Sequence, residues 1–361
     1  MEASPVTLAD LHAARARLAA HILRTPLTHS FVLSERIGCE IWLKQENRQH
    51  TGSFKPRGAL NKIASLDDEE RSRGIVAASA GNHALGVAHA CHVLDIERAD
   101  VFVQATASPA KIAKLRHART ARSPVRVHLV GETFEEAQQA ALIYTRETGG
   151  TFVSAYDDPA VLAGQGTCGL EIVDDLSDLD TVIVPVGGGA LIGGIALAVK
   201  AICPTARVVG VNPSASPSAL LSFQRGYAID PYDHEPTLAH GLAGGFGRIP
   251  FAVARNLVDK IVLVSEDEMK QAIVALIDSD QILAEASGVA GLAAALHRKT
   301  ALRGKVVVVI SGGNIDSGTL RSILNNGVSE WATNQRINGL RLAHMVRTRT
   351  MPAPHQRPNN G

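Results

Sequence analysis

The sequence predicts a two-lobed α/β protein whose parallel sheets are covered by helices. Three observations carry this reading. The chain has 361 residues, beyond the ~250–300 at which one core usually stops growing. From Gly74 onward short apolar runs alternate with helical patterns, as in a parallel sheet with helical crossovers. The alternation then resumes after about residue 151, with a glycine-rich loop between a strand and a helix. Hydrophobic residues make up 45% and aromatic residues only 4%, so alanine, valine, leucine and glycine must build the core.

Taken in order, Thr7-Leu8-Ala9-Asp10 is a capping signal for a helix running to about Ile22. Leu8, Leu11, Ala14, Leu18 and Ile22 fall near one face of it. Ile41-Trp42-Leu43-Lys44 reads as a short strand leading to Thr51–Ala59. Pro56 suits a first helical turn, because its fixed φ and missing N–H cost little there. Next come a strand at Ile75–Ala78, a helix from Asn82 to Leu94, and a strand at Val101–Val103. A helix from Pro109 to Arg119, a strand at Val125–Val130 and a helix from Thr133 to Glu147 follow. In the second series Phe152-Val153 leads to a helix start at Asp157-Asp158-Pro159. Strands follow at Val182–Val184, Val208–Val211, Ile261–Val264 and Val306–Ile310, with a helix at Leu191–Lys200 and a cap at Ser265–Glu268. The expected division is a large domain of residues 1–70 and 151–330, a small α/β domain of 71–150, and a C-terminal tail of 331–361. The Pro- and Asn-rich end of that tail is expected to be disordered.

Composition narrows the function classes. The net charge of +1 gives no electrostatic case for nucleic acid or an anionic membrane. Cys39, Cys91, Cys168 and Cys203 are widely spaced, so structural zinc and a disulfide scaffold are not expected. Thr181 to Val199 carries no charge, but Pro185 and Gly187-Gly188-Gly189 break it as a membrane helix. No basic region followed by an apolar one marks the N-terminus, and a cytoplasmic protein is expected.

Three segments carry candidate chemistry. In Thr51-Gly52-Ser53-Phe54-Lys55-Pro56-Arg57-Gly58-Ala59, Lys55 stands at a helix start. The positive end of a helix dipole disfavours its protonation, and a neutral amine is what Schiff-base chemistry needs. The plain alternative is an exposed lysine on a polar turn. Gly187-Gly188-Gly189-Ala190-Leu191 follows a strand and opens a helix, a nest of N–H groups suited to a phosphate. It is neither a dinucleotide fingerprint nor a nucleotide P-loop, since the third glycine of the first and the Gly-Lys-Ser/Thr of the second are absent. A tight turn with no ligand remains its alternative. Ser79-Ala80-Gly81-Asn82-His83 and Ser311-Gly312-Gly313-Asn314 also end strands, and each could be a cap or a polar turn alone.

Together these segments resemble the serine/threonine dehydratase family of pyridoxal-phosphate enzymes, over roughly Thr7 to Gly327. The resemblance implies the fold-type II architecture, like the β subunit of tryptophan synthase. It also implies that Lys55, beside Phe54, holds pyridoxal 5'-phosphate. Gly187, Gly188, Gly189, Ala190 and Leu191 would cradle its phosphate, with Ala190 in place of the family's fourth glycine. Asn82 would bond the ring hydroxyl and Ser311 would face the ring nitrogen. The loop Ser79, Ala80, Gly81, Asn82 and His83 would hold the substrate carboxylate. Tyr156, Gly241 and Glu285 are further candidates near the cofactor, although Ala286 replaces the proline that follows the glutamate in the family.

The departures matter too. The family's divalent-cation site loses its carboxylates here to Asn212 and Ser218, so no metal is expected. Ala80 stands where serine racemases have their second acid/base. His240-Gly241 replaces the family's Asp-Gly and is followed by Gly244-Gly245. The implied activity is an ammonia-lyase reaction on a β-hydroxy amino acid such as L-threonine or L-serine, giving a 2-oxo acid. A related substrate (3-hydroxyaspartate, phenylserine), a racemase, or a non-catalytic cofactor binder are the alternatives. The expected partners are a small-molecule amino acid and further copies of the chain, as a homo-oligomer (dimer or tetramer).

Overall fold

A Thr7–Asp10 capping box opens the first helix, each side chain bonding the other's backbone N–H. Such a cap contributes about 1 kcal/mol. The computed structural model describes residues 4–117 and 125–325. In chain order its elements are α1 (Leu8–Leu18), β1 (Leu27–Ser30), α2 (Phe31–Ile37), β2 (Glu40–Gln45), α3 (Lys55–Ala64), α4 (Asp68–Ser72), β3 (Ile75–Ala78) and α5 (Asn82–Val93). Then come β4 (Ala99–Val103), α6 (Pro109–His117), β5 (Val125–Leu129), α7 (Phe134–Thr148), β6 (Thr151–Phe152) and α8 (Pro159–Asp175). The remainder is β7 (Thr181–Pro185), α9 (Ala190–Ile202), β8 (Arg207–Pro213), α10 (Ser218–Arg225), α11 (Arg248–Ala254), β9 (Lys260–Val264), α12 (Glu266–Asp280), α13 (Ala286–Leu296) and β10 (Lys305–Ile310). Residues 317–325 are a helical stretch of a separate unit.

The strands form two sheets. One has six strands in the order β1-β2-β10-β7-β8-β9, and the other four in the order β5-β4-β3-β6. All neighbours run parallel except β1 and β2. The alternation of apolar runs and helices therefore reads correctly as α/β. The four-stranded sheet ends at Thr151–Phe152, just past the expected division at residue 150. The tail expected at 331–361 and the end of the Pro109–Arg119 helix lie outside the described residues.

Two expectations change. The first helix stops at Leu18, not Ile22, because the N–H groups of His21 and Ile22 both turn back to the Leu18 carbonyl before the extended approach to Pro26. The antiparallel edge strand β1 was not foreseen, since Leu27–Ser30 is short and only Ser30 is buried. Buried valine and alanine dominate the core, and Cys91, Cys168 and Cys203 are buried free thiols.

Glycines let α3 and α8 cross closely. A Cβ at Gly164 on α8 would lie 2.4 Å from the Arg57 carbonyl and 2.8 Å from Gly58 Cα. That backbone contact fixes the first turn of α3, where Lys55 stands. Among the described residues no helix is long and apolar enough to cross a membrane.

Candidate active site

The carboxyl ends of the strands converge with the start of α3. Ser53 bridges Gly312, and Phe54 N–H donates to the Ser311 carbonyl at 3.1 Å. Gly313 N–H returns to the Gly52 carbonyl at 2.8 Å. The lysine segment and the loop after β10 are thus stitched together by backbone bonds. Ser53 Oγ and Thr51 Oγ1 are buried beside this seam with no partner among the described residues.

Lys55 begins α3, one residue before Pro56. Its Nζ donates to the Ala155 carbonyl at 2.9 Å and lies 5.1 Å from the centre of the Phe54 ring. Burial pushes its amine down to about 8. The neutral lysine expected from the helix dipole is therefore favoured chiefly by desolvation, which penalises the charged form.

Asn82 opens α5 and donates from Nδ2 to Glu285 Oε1 at 2.6 Å. Its Oδ1 accepts from Asn314 Nδ2 at 2.6 Å. Burial raises the Glu285 carboxyl above its ordinary value. His83 is buried, and its Nε2 donates to the Val153 carbonyl at 2.9 Å. Burial, then the Lys55 charge, pushes the ring down to about 3, so it is neutral at pH 7. Of the amides expected to hold a carboxylate, Ser79 N–H is bonded to the Phe102 carbonyl and Gly81 N–H to Ser79 Oγ. The N–H groups of Ala80, Asn82 and His83 have no partner among the described residues.

The glycine loop lies between β7 and α9. Gly189 has φ +95°, the left-handed conformation that suits glycine. The amides of Gly187, Gly188 and Gly189 bond nothing among the described residues. The loop faces Gly241, whose carbonyl would lie 2.7 Å from a Cβ at Gly187. Tyr156 packs its ring on Gly188. Gly241 N–H is itself held by Ser287 Oγ at 2.9 Å. Burial, then the Lys111 charge, lowers the His240 imidazole below its ordinary value.

Residues 18–312 match the family described as "Pyridoxal-phosphate dependent enzyme". The chain belongs to that family. Pyridoxal phosphate is its cofactor, and its fold is the fold-type II arrangement of those enzymes. The chain is 45% identical over 324 residues to L-threonine ammonia-lyase of Thermotoga maritima, covering 90% of this chain and 79% of that protein. It is 43% identical over 323 residues to L-threonine dehydratase catabolic TdcB of Escherichia coli K12, covering 88% and 96%. Maize serine racemase superposes with a TM-score of 0.82 at 31% identity, over 90% of this chain and 98% of that one.

The residues present fit the cofactor. A buried amine lowered toward neutral pH, a loop of amides left unengaged among the described residues and orphaned hydroxyls at the seam suit a phosphate-bearing aldehyde.

Sequence reasoning missed four residues behind Lys55. Arg57 donates to both oxygens of Glu46 at 2.8 Å and to both of Glu171 at 2.7 and 2.9 Å. Lys44 Nζ donates to Glu171 Oε2 at 2.5 Å and to the Thr25 carbonyl at 2.8 Å. All four charged residues are buried. Arg57 was visible in the Lys55 motif, but its partners come from β2, the turn after it and α8, which no local pattern joins. At the position expected to have lost a metal ligand, Asn212 spans backbone groups, donating to Val186 and accepting from Ala219 and Leu220.

Proposed function

We propose that this protein is a pyridoxal-phosphate ammonia-lyase that converts a β-hydroxy amino acid, L-threonine first, to a 2-oxo acid and ammonia. The observation that carries it is the Lys55 amine, buried without a carboxylate partner and lowered to about 8. The names of the threonine-acting relatives support the substrate. When bound, pyridoxal phosphate supplies an electron sink for the charge left when Cα loses its proton.

The chain supplies the rest. Lys55 would hold the cofactor, and its Nζ is the group that would take the proton from the substrate Cα. The amides of Gly187, Gly188, Gly189, Ala190 and Leu191 hold the phosphate. The amides of Ala80, Asn82 and His83 orient the substrate carboxylate, and Ser79 shapes their loop by holding Gly81 N–H. Asn82, backed by Glu285, would bond the ring hydroxyl, and Ser311 would offer a neutral hydroxyl to the ring nitrogen.

Elimination is favoured over racemisation because Ala80, standing where serine racemases have their second acid/base, offers no proton. His83 does not replace it, since its Nε2 proton is engaged with Val153. The two separate sheets support a smaller lobe from about residue 71 that runs through β6 at Thr151–Phe152, set against the segments on either side of it. Phe31, 78% exposed, and Val32 on α2 support an interface between copies in a homo-oligomer. A cytoplasmic location completes the reading.

The test is a panel of β-hydroxy amino acids with 2-oxo acid detection, run on wild type and Lys55→Ala. L-threonine should turn over and the variant should lose at least a thousandfold. Turnover by Lys55→Ala within tenfold of wild type would contradict the assignment.

A further inference from the structure

We infer that Asp230 is a positioning residue that sets the Tyr156 ring against the glycine loop, and that Gly245 is what admits it. The inference rests on the reading that this loop holds the cofactor phosphate. Tyr156 hydroxyl donates to the Asp230 carboxylate, 3.1 Å from Oδ1 and 3.0 Å from Oδ2. Its ring is flanked by two glycines. A Cβ at Gly188 would lie 2.1 Å from Tyr156 Cγ, and one at Gly247 would lie 2.9 Å from Cδ2. Gly247 N–H donates to the Gly188 carbonyl at 3.1 Å, so ring and loop form one packed layer.

Asp230 is held firmly. Ile229 N–H donates to Ser222 Oγ at 3.0 Å, and Phe246 N–H donates to the Ile229 carbonyl at 2.8 Å. This second bond draws the 229–230 segment against Gly244-Gly245. A Cβ at Gly245 would lie 2.1 Å from Asp230 Oδ1 and 2.7 Å from its Cα. Any side chain there expels Asp230. The Gly244-Gly245 pair, a departure from the family pattern, thereby gains a role through its second member.

The consequence reaches the chemistry by two routes. Tyr156 packs on Gly188, whose amide would be among those that hold the phosphate. It also follows Ala155, whose carbonyl accepts from Lys55 Nζ. Ser154 Oγ accepts from the N–H groups of Tyr156 and Asp157, which makes 154–157 one turn. Fixing the tyrosine therefore fixes the carbonyl that orients Lys55.

The experiment is a double-mutant cycle on the holoenzyme, Tyr156→Phe against Asp230→Ala, reading the dissociation constant of pyridoxal phosphate and, alongside, thermal melting. A hydrogen bond to a carboxylate predicts that each single change weakens cofactor retention about 5- to 20-fold, with the double change no worse. Asp230→Asn, which still accepts, should stay within about 2-fold of wild type. Gly245→Ala should behave like Asp230→Ala. Independent, multiplying losses would overturn the inference, as would melting losses with unchanged cofactor affinity. Wild type that binds no pyridoxal phosphate would instead sink the phosphate reading, and the cycle in melting temperature would still decide whether Tyr156 and Asp230 act as one.

Discussion

Lys55 and Arg57 are two cations on the first turn of α3, and the protein treats them in opposite ways. Arg57 points to the back of the helix and meets two carboxylates. Burial alone would lower its guanidinium, but Glu46 and Glu171 carry it well above its ordinary value. Burial alone would likewise raise the Glu46 carboxyl, and Arg57 with Lys44 holds it below. Lys55 points to the site and finds one carbonyl. A carbonyl accepts the N–H but brings no full negative charge, so desolvation decides and the amine moves toward neutral. The difference shows what a buried cation needs in order to become a nucleophile: shelter without a counter-ion. The paired region serves as scaffold and the unpaired one as reagent.

The largest effect comes from breaking the paired region. Arg57→Met should leave Glu46 and Glu171 buried without their main partner, a loss of roughly 3–5 kcal/mol in stability. Thermal melting checks it, and Arg57→Lys should fall between, because a single ammonium cannot make the paired forks of a guanidinium. A variant melting within a degree of wild type would mean that the network contributes little.

A smaller effect sharpens the unpaired side. In cofactor-free protein, acylation of Lys55 should titrate near pH 8, while exposed lysines titrate near their ordinary value. Stability follows the same shift. Between about pH 8 and 10.5 the unfolded chain holds a proton that the folded Lys55 has lost, so the cofactor-free fold should gain stability as pH rises through that window. Below it the cost is constant. Lys55 reactivity titrating with the exposed lysines would remove the contrast with Arg57.

The smallest effect concerns the substrate face opposite Lys55. Ala80→Ser should raise the D-serine formed beside pyruvate from L-serine, while wild type forms little. D-serine from wild type at a rate comparable to pyruvate would show that another group serves that face.

Much of this site was legible because its residues lie at strand ends, where a local pattern and a chemical motif coincide. Asn82, the Gly187–Leu191 loop and Ser311 follow that rule, whereas Lys55 was legible from a helix start, and backbone bonds join its segment to the Ser311 loop. The buried network was not legible. Lys44 and Glu171 look like ordinary charges on a strand and a helix; the crossing of α3 and α8 at Gly58 and Gly164 brings Glu171 to Arg57, and Lys44 reaches the same carboxylate from β2. Asp230 was hidden for a similar reason, since it sits in an irregular loop 74 residues from the tyrosine it holds. The fold class was carried by periodicity, whereas β1 and the early end of α1 depended on backbone bonds that periodicity does not encode. The helix dipole at Lys55 is visible from sequence, but the desolvation that dominates its shift needs three-dimensional burial.

The most direct test of the contrast is borohydride reduction of the holoenzyme followed by peptide mapping. The account predicts one cofactor-labelled peptide, carrying Lys55, with Lys44 unlabelled because its ammonium is locked to Glu171. Label on Lys44, Lys62 or any other lysine in place of Lys55 would contradict it.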